Sequence, residues 1–578
     1  MNKDQVIKII QRWRNTEEQD LKPEDYQQFE NLGSACLAEG ESEQLLKFIQ
    51  DEKHQSRCKQ LVPVMTRCSP PRASAEMSHL FLKTCRPNEL LHSMLELVEG
   101  IDPGAISETI LALLPHLQTA LLRLDEGRAA CVGSALRALQ EQLSRLPVPY
   151  TEQQEEADEH GLCRCCAALT AFTKPFVEEL KRKDGNTTAE DEELRTELLK
   201  FCMRSLREPL LEAELNPDRK SPLWLFAVEI MVTLPAIREP LSGLLFFSSL
   251  RKNTPMDSSQ FKEARACLAY LLFVQLITID SFPAVFSHVF ILQCNMDYIN
   301  QLLSRYLTMS YLSMITQALF TTTLKRVQDS SLPVSLLDLR SFCRERVRHL
   351  LQVMNLLNVL LQRESGLQLF QLLINKLEAE AKHKFFRCML KTSNHAGVES
   401  YIIKNIRNQF EFSTKVRKRW RFLGAELISL LRLVLCLPQG ADTDLLSSMD
   451  RVMESLNLLR YVLIRDKELR TNVWEELCRL KDEYIKMLRV CIGISRAYYS
   501  SELKALREDQ KLKAREARDA ARSLASVKGL SLKHEKVSSM SPEVQQQVLQ
   551  SALVTFDLME SLIVRIEEIT EEKLNKLN

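Results

Sequence analysis

An all-α fold is what this sequence predicts, and three observations carry the expectation. Glycine is scarce, with 15 in 578 residues, well below ordinary usage, so few positions are reserved for left-handed backbone. Apolar residues recur at helical spacing along nearly the whole chain. The breaks between those runs are short polar turns, and the period-two alternation of strands is not found. Paired helices of roughly 10 to 20 residues, repeating at about 35 to 47, suggest an irregular HEAT-like or armadillo-like α-solenoid.

The elements follow in order. The opening stretch MNKDQVIKIIQRWRNTEEQD is amphipathic and charged, without the apolar core of a signal peptide, so a cytoplasmic protein with nuclear access left open is expected. NELLHSMLELVEG (88–100) reads as a helix with Asn88 as cap, Leu90, Leu91, Met94, Leu95 and Leu97 on one face and Gly100 at its stop. Two polar breaks, 150–160 and 181–193, flank the helix GLCRCCAALTAFTKPFVEEL (161–180). The sequon Asn186-Thr187-Thr188 in the second break reads as a solvated loop. The apolar run Ala266 to Ile279 is too short to span a bilayer, so no membrane insertion is expected. RVQDSSLP (326–333) marks a seam, giving two helical-repeat halves, 1–330 and 331–578.

In the second half, 393–410 reads as a helix started by Ser393 or Asn394. Val398, Ile402, Ile406 and Phe410 would point inward, and Glu399, Asn405, Arg407 and Asn408 outward. The helix near 449–466 has Val452, Leu456, Leu459 and Leu463 as its core face. The segment 501–524 has few large apolar residues, so a solvated helix or partly disordered stretch is expected, with about 505–540 a mobile charged segment. A last helix starts at Ser541-Pro542-Glu543, where proline suits the first helical position and the acid suits the dipole. Its stripe is Val544, Val548, Ala552, Phe556, Met559, Ile563 and Ile566.

The chemistry of the chain excludes more than it proposes. Lysine plus arginine, 77, balances aspartate plus glutamate, 76, so nothing in the net charge calls for nucleic acid. No glycine-rich phosphate cradle, HExxH or GxSxG is found in the sequence, so no catalytic residue and no cofactor are expected. Cys163 and Cys166 make one CxxC, but structural zinc needs a second ligand pair, and no strand precedes the motif as a redox site would require. Core packing is the reading for this cluster, and for lone cysteines such as Cys267, Cys388, Cys436 and Cys491. KVRKRWR (415–421) gathers five cations around Trp420. It reads either as a solvated turn with Trp420 tucked inward or as a protein-binding patch. His395 reads as a turn residue without catalytic partners.

Several long segments, in order, resemble the glomulin family: NELLHSMLELVEG, LSRLPVPYTEQQ, GLCRCCAALTAFTKPFVEEL, KHKFFRCMLKTSNHAGVESYIIKNIRNQ, LCLPQGADTDLLSSMDRVMESLNLLRYVLIRD and SALVTFDLMESLIVRIEEI. They span about 88 to 569. The resemblance implies a HEAT-like helical protein whose carboxyl-terminal half binds the RING domain of the RING-box subunit of cullin-RING ubiquitin ligases. Through that subunit it would reach cullins, cover the docking surface of the ubiquitin-conjugating enzyme and inhibit ubiquitin transfer. The family name also points to FK506-binding immunophilins. A helical adaptor for another partner, in trafficking or with chaperones, is the alternative. Within the carboxyl-terminal half, the residues chosen as partner-binding on chemical grounds are Asn394, Arg407, Arg417, Lys418, Arg419 and Trp420, with Arg460 and Tyr461 on the adjacent repeat.

Overall fold

The computed structural model describes residues 3–16, 86–149, 151–183, 188–215, 221–247, 258–305, 310–334, 363–393, 395–416, 420–465, 473–520 and 542–574, with scattered positions between 20 and 31. Among the described residues there is no strand, only an isolated bridge between Leu332 and Leu377. The protein is an all-α helical-repeat solenoid. It divides into two compact units, Met1–Val327 with Gln352–Leu372, and Gln328–Leu351 with Leu373–Asn578.

The first unit contains α1 (Lys3–Asn15), α2 (Pro87–Glu99), α3 (Ile106–Leu122), α4 (Arg128–Leu143), α5 (Glu152–Ala157), α6 (Leu162–Arg182), α7 (Ala189–Arg207), α8 (Pro222–Ala236), α9 (Leu241–Phe246), α10 (Ser258–Phe273), α11 (His288–Arg305) and α12 (Ser310–Arg326). Helices pack in two layers, α3 on α6 on α8 and α4 on α7 on α10, as stacked pairs require. Local chemistry sets the ends. Pro87 takes the first position of α2, where its missing N–H is no loss. Arg86 is therefore the cap residue and Asn88, expected there, lies inside the first turn. Gly100 ends that helix, its N–H bonding the Glu96 carbonyl at 3.0 Å. The second polar break ends in a capping box: Thr188 and Asp191 exchange side-chain and backbone hydrogen bonds at 3.0 and 3.3 Å. Burial pushes the Asp191 carboxyl up, but hydrogen bonds from Lys183 and Thr188 outweigh it and hold it at about 2.

The cysteine helix α6 starts at Gly161, in left-handed conformation. Asp158 closes its amino terminus by accepting from the N–H groups of Cys163 and Arg164, at 2.9 and 3.1 Å. Cys163, Cys165 and Cys166 are all buried with Leu162 and Leu169. Burial pushes the Cys163 and Cys165 thiols up to about 12, and that of Cys166 well above its usual value. These are protonated, apolar core residues. Among the described residues, no three metal-ligating side chains converge.

The second unit contains the end of α13 (Arg363–Lys376), whose first part counts with the first unit, then α14 (Ala379–Thr392), α15 (Ala396–Val416), α16 (Gly424–Val434), α17 (Met449–Arg465), α18 (Val473–Ala520) and α19 (Pro542–Leu574). Two layers recur, α14 on α16 on α18 and α15 on α17 on α19. Helix α18 continues unbroken through 505–520, so that part of the expected mobile segment is helical, while 521–541 lies outside the described residues. Helix α19 runs antiparallel to it, Arg489 pairing with Glu567 at 2.7 Å and Arg496 with Asp557 at 2.8 Å. Its stripe docks from Leu549 onward, through Ala552, Phe556, Met559, Ile563 and Ile566. Val544, expected at the head of that stripe, is exposed, because it borders an open cleft with Leu446, Met449 and Asp450 that is not filled. Two helical stretches, Pro103–Leu122 and Glu543–Lys573, are long and apolar enough to cross a membrane, which the run at 266–279 alone did not suggest. Each packs one apolar stripe onto neighbouring helices, Ile110, Leu113, Leu114, Leu117 and Leu121 in the first and Phe556, Met559, Ile563 and Ile566 in the second, while Leu122, Val554, Leu558 and Val564 stay exposed.

Candidate protein-interaction surface

Of the residues chosen from the sequence, Arg407 lies on α15 and Arg460 and Tyr461 on α17, two helices that pack along their lengths in parallel. Near their starts, Arg451 Nη1 donates to Glu399 Oε2 at 2.9 Å, and Arg451 Nη2 donates to the carbonyls of Leu433 and Cys436 at 3.1 and 3.2 Å. Both side chains are buried. Burial raises the Glu399 pKa, and Arg451 opposes that shift. Glu399 and Asn405 were expected on the outward side of α15. Both are buried instead, because α15 is flanked by α14 as well as α17 and hides a wider arc than a one-sided helix. Asn405 satisfies its amide on the Tyr401 carbonyl at 3.0 Å.

The other ends of the two helices form an outer surface. Phe410 meets Tyr461 edge-on, ring centroids 6.2 Å apart, and the Arg465 guanidinium lies 5.8 Å from the Tyr461 ring centre. Glu411 pairs with Lys415 at 2.9 Å, and that bond, before its contact with Tyr461, lowers the Glu411 pKa. Arg407 and Arg460 are half-buried and make no ion pair among the described residues. Sequence reasoning missed Phe412 and Ile464, large apolar side chains left exposed on the same two helix ends. Their positions outside the i, i+4 core stripes were the available signal.

The basic turn after α15 is partly defined. Its outer cations are engaged, Lys415 as above and Arg421 with Glu380 at 3.2 Å and Glu426 at 3.4 Å. The aromatic that anchors the turn is Phe422, fully buried against Phe386 and His383. Asn394, Arg417, Lys418 and Arg419 lie outside the described residues, as does the side chain of Trp420, whose backbone opens the short 3-10 turn Trp420–Phe422. His395 stands just before α15, its N–H donating to Ser393 Oγ at 3.3 Å. Cys436, expected on an apolar face, is exposed, since α16 ends at Val434 and the chain turns away.

A family described as "Uncharacterised protein family, YAP/Alf4/glomulin" matches residues 1–228 and 237–552. The protein named Glomulin from Homo sapiens is 40% identical over 598 aligned positions, covering 99% of this chain and 98% of its own. Glomulin from Mus musculus is 40% identical over 594, with the same shares covered. Both units are matched almost from end to end, and the chain belongs to the YAP/Alf4/glomulin family.

Proposed function

We propose that this chain is a non-catalytic regulator of protein ubiquitination. Its second unit binds the RING domain of the RING-box subunit of cullin-RING ligases, occupies the face where the ubiquitin-conjugating enzyme docks, and so inhibits transfer. The observation that carries this reading is 40% identity to glomulins over essentially the whole chain, together with the family function stated above. The ends of α15 and α17 suit such a role. They combine Tyr461, braced from beneath by buried Phe410, with exposed Phe412 and Ile464 and with Arg407 and Arg460, which make no ion pair among the described residues. Aromatic anchors with arginine are the composition of interface centres, and buried helices beneath hold them still.

The mechanism is competition for one face. A standard interface of about 1,600 Å² supports nanomolar binding and outlasts a transient enzyme encounter. The test is reconstituted: full-length protein, a RING-box–cullin complex and a ubiquitin-charged conjugating enzyme. Discharge of ubiquitin should slow in proportion to complex formed, and Arg407→Glu with Arg460→Glu should weaken binding about tenfold or more. No complex in calorimetry would refute the reading. Association with an immunophilin, a trafficking factor or a chaperone in its place would favour the adaptor alternative.

A further inference from the structure

Helix α18 is the last of its layer, and one of its faces is apolar and open. Arg432, near the end of α16, pairs with Glu476 at 2.7 Å, so α16 covers this face only at its start. Further along the same side of the helix stand Met487, Val490, Ile494 and Tyr498, at i, i+3, i+7 and i+11. They are 44, 50, 52 and 58% exposed. The buried stripe of α18, with Leu477, Tyr484, Leu488 and Cys491, is centred roughly a quarter turn away. Tyr498 is held edge-on by Tyr499, whose hydroxyl donates to Asp444 Oδ1 at 3.2 Å, which fixes the far end of the patch. Beside these residues run Gly493, Ala497, Ser501 and Ala505, four apart and all exposed. Small side chains in such a row let a second helix approach closely, and a contiguous apolar patch in the open marks an interaction surface.

The charges around the patch select the partner. Glu483 and Lys511 are equidistant from Ala497 on its two sides, and so are Lys486 and Glu508. All four are exposed on the side of the helix that carries the patch, and each pair joins an acid to a base. A second copy laid antiparallel, with a two-fold axis at Ala497, sets Glu483 level with Lys511 of the partner subunit and Lys486 level with Glu508 of the partner subunit, and the symmetry repeats both. A parallel pair would set each charge against itself. Within one chain these charges do not meet, because Lys486 and Glu508 are about 33 Å apart along the helix. Lys486, Glu508 and Lys511 make no ion pair among the described residues. Glu483 shares Arg479, at 2.6 Å, with Glu476, at 2.7 Å, so Arg479 keeps a partner when Glu483 turns to another.

We propose that this face is a self-association surface, through which two copies of the chain pair antiparallel along residues 483–511 of α18. The apolar patches and small-residue rows of the two helices face each other, and the acid–base pairs at either end set the register. The surface uses no residue of the α15 and α17 site, so dimerisation and RING-box binding are measured apart.

The experiment is sedimentation velocity of the full-length protein at low salt. Between about 1 and 100 µM the mass should pass from monomer to dimer. Ile494→Glu, at an exposed position, should abolish the dimer while circular dichroism and thermal melts stay those of wild type. Lys486→Glu sets like charges level on both sides of the axis and should weaken dimerisation about tenfold. Glu508→Lys alone should do the same. The two together restore opposite charges and should return the wild-type dissociation constant, a rescue that no contact within one chain provides at that separation. Monomer at every concentration, an assembly larger than two, a dimer that survives Ile494→Glu, or a double variant no tighter than either single one would overturn the proposal.

Discussion

Replacing Arg451 with methionine tests how α15 and α17 are held together. The substitution removes the bond to Glu399 at 2.9 Å and the donors to the Leu433 and Cys436 carbonyls, leaving a buried carboxylate with no counter-charge. Breaking a buried pair from one side costs about 3–5 kcal/mol. At roughly 2–4 °C per kcal/mol for a domain of this size, melting of the second unit should fall by about 6–20 °C. Replacing Glu399 by methionine as well should recover most of the loss, since a matched apolar pair avoids desolvating both charges. The sign with pH follows from the Glu399 shift. Burial raises its pKa above the usual 4.5, and loss of Arg451 raises it further. Between 4.5 and that raised value the folded state binds more protons than the unfolded one, so stability falls as pH rises. The gap between wild type and Arg451→Met should therefore be smaller at pH 5 than at pH 8. Urea melts read by hydrogen exchange of peptides from 396–465 isolate the second unit from the first. A single variant costing under about 1 kcal/mol, or a double variant no better than the single, would refute the reasoning.

Gly161→Ala should destabilise the first unit strongly, because the position has φ +72° and an added Cβ would lie 2.5 Å from Ser107 Cβ. Pairing it with Ser107→Gly should relieve the collision while leaving a backbone cost of about 1–2 kcal/mol, measurable by thermal melts. Timed alkylation with mass spectrometry should label exposed Cys436 long before Cys163, Cys165 and Cys166, whose thiols burial keeps protonated; early labelling of the cluster would contradict its place in the core. Asp191→Asn should cost about 1 kcal/mol, typical of a lost cap. Because that carboxyl sits at about 2 rather than 3.8, its contribution is present above pH 3.8 and disappears as pH falls toward 2. An acid titration comparing the two proteins should show their stabilities converging in that window.

The helical class was legible because amphipathic periodicity and proline or acidic helix starts are local signals, and Pro542-Glu543 sits where those signals put it; the Thr188–Asp191 capping box, inside a stretch read as a solvated loop, went unread. Partners distant in sequence were not legible. Glu399 looks outward on its own helix, and only Arg451, 52 positions later, makes its burial tolerable. For the interaction surface, Arg407, Arg460 and Tyr461 are placed on neighbouring helix ends, while Phe412 and Ile464 become visible only once packing shows which side chains stay exposed.

Helix α18 has 48 residues, about 70 Å at the standard rise, yet its last buried apolar side chain is Leu503. Past that point nearly every described side chain is exposed, and the Lys513–Asp509 pair at 3.0 Å supports the coil only locally. A single unsupported helix frays readily in water, and Lys504, Arg507, Lys511, Lys513 and Arg515 offer trypsin repeated cleavage sites along it. The descending helix α19 depends on nothing there. Phe556, Met559, Ile563 and Ile566 hold it to α17 and α18 by their own packing. Severing the chain within 504–520 should therefore leave two polypeptides that migrate apart under denaturing conditions but elute together from a sizing column, a protein broken in its covalent bonds and still one body.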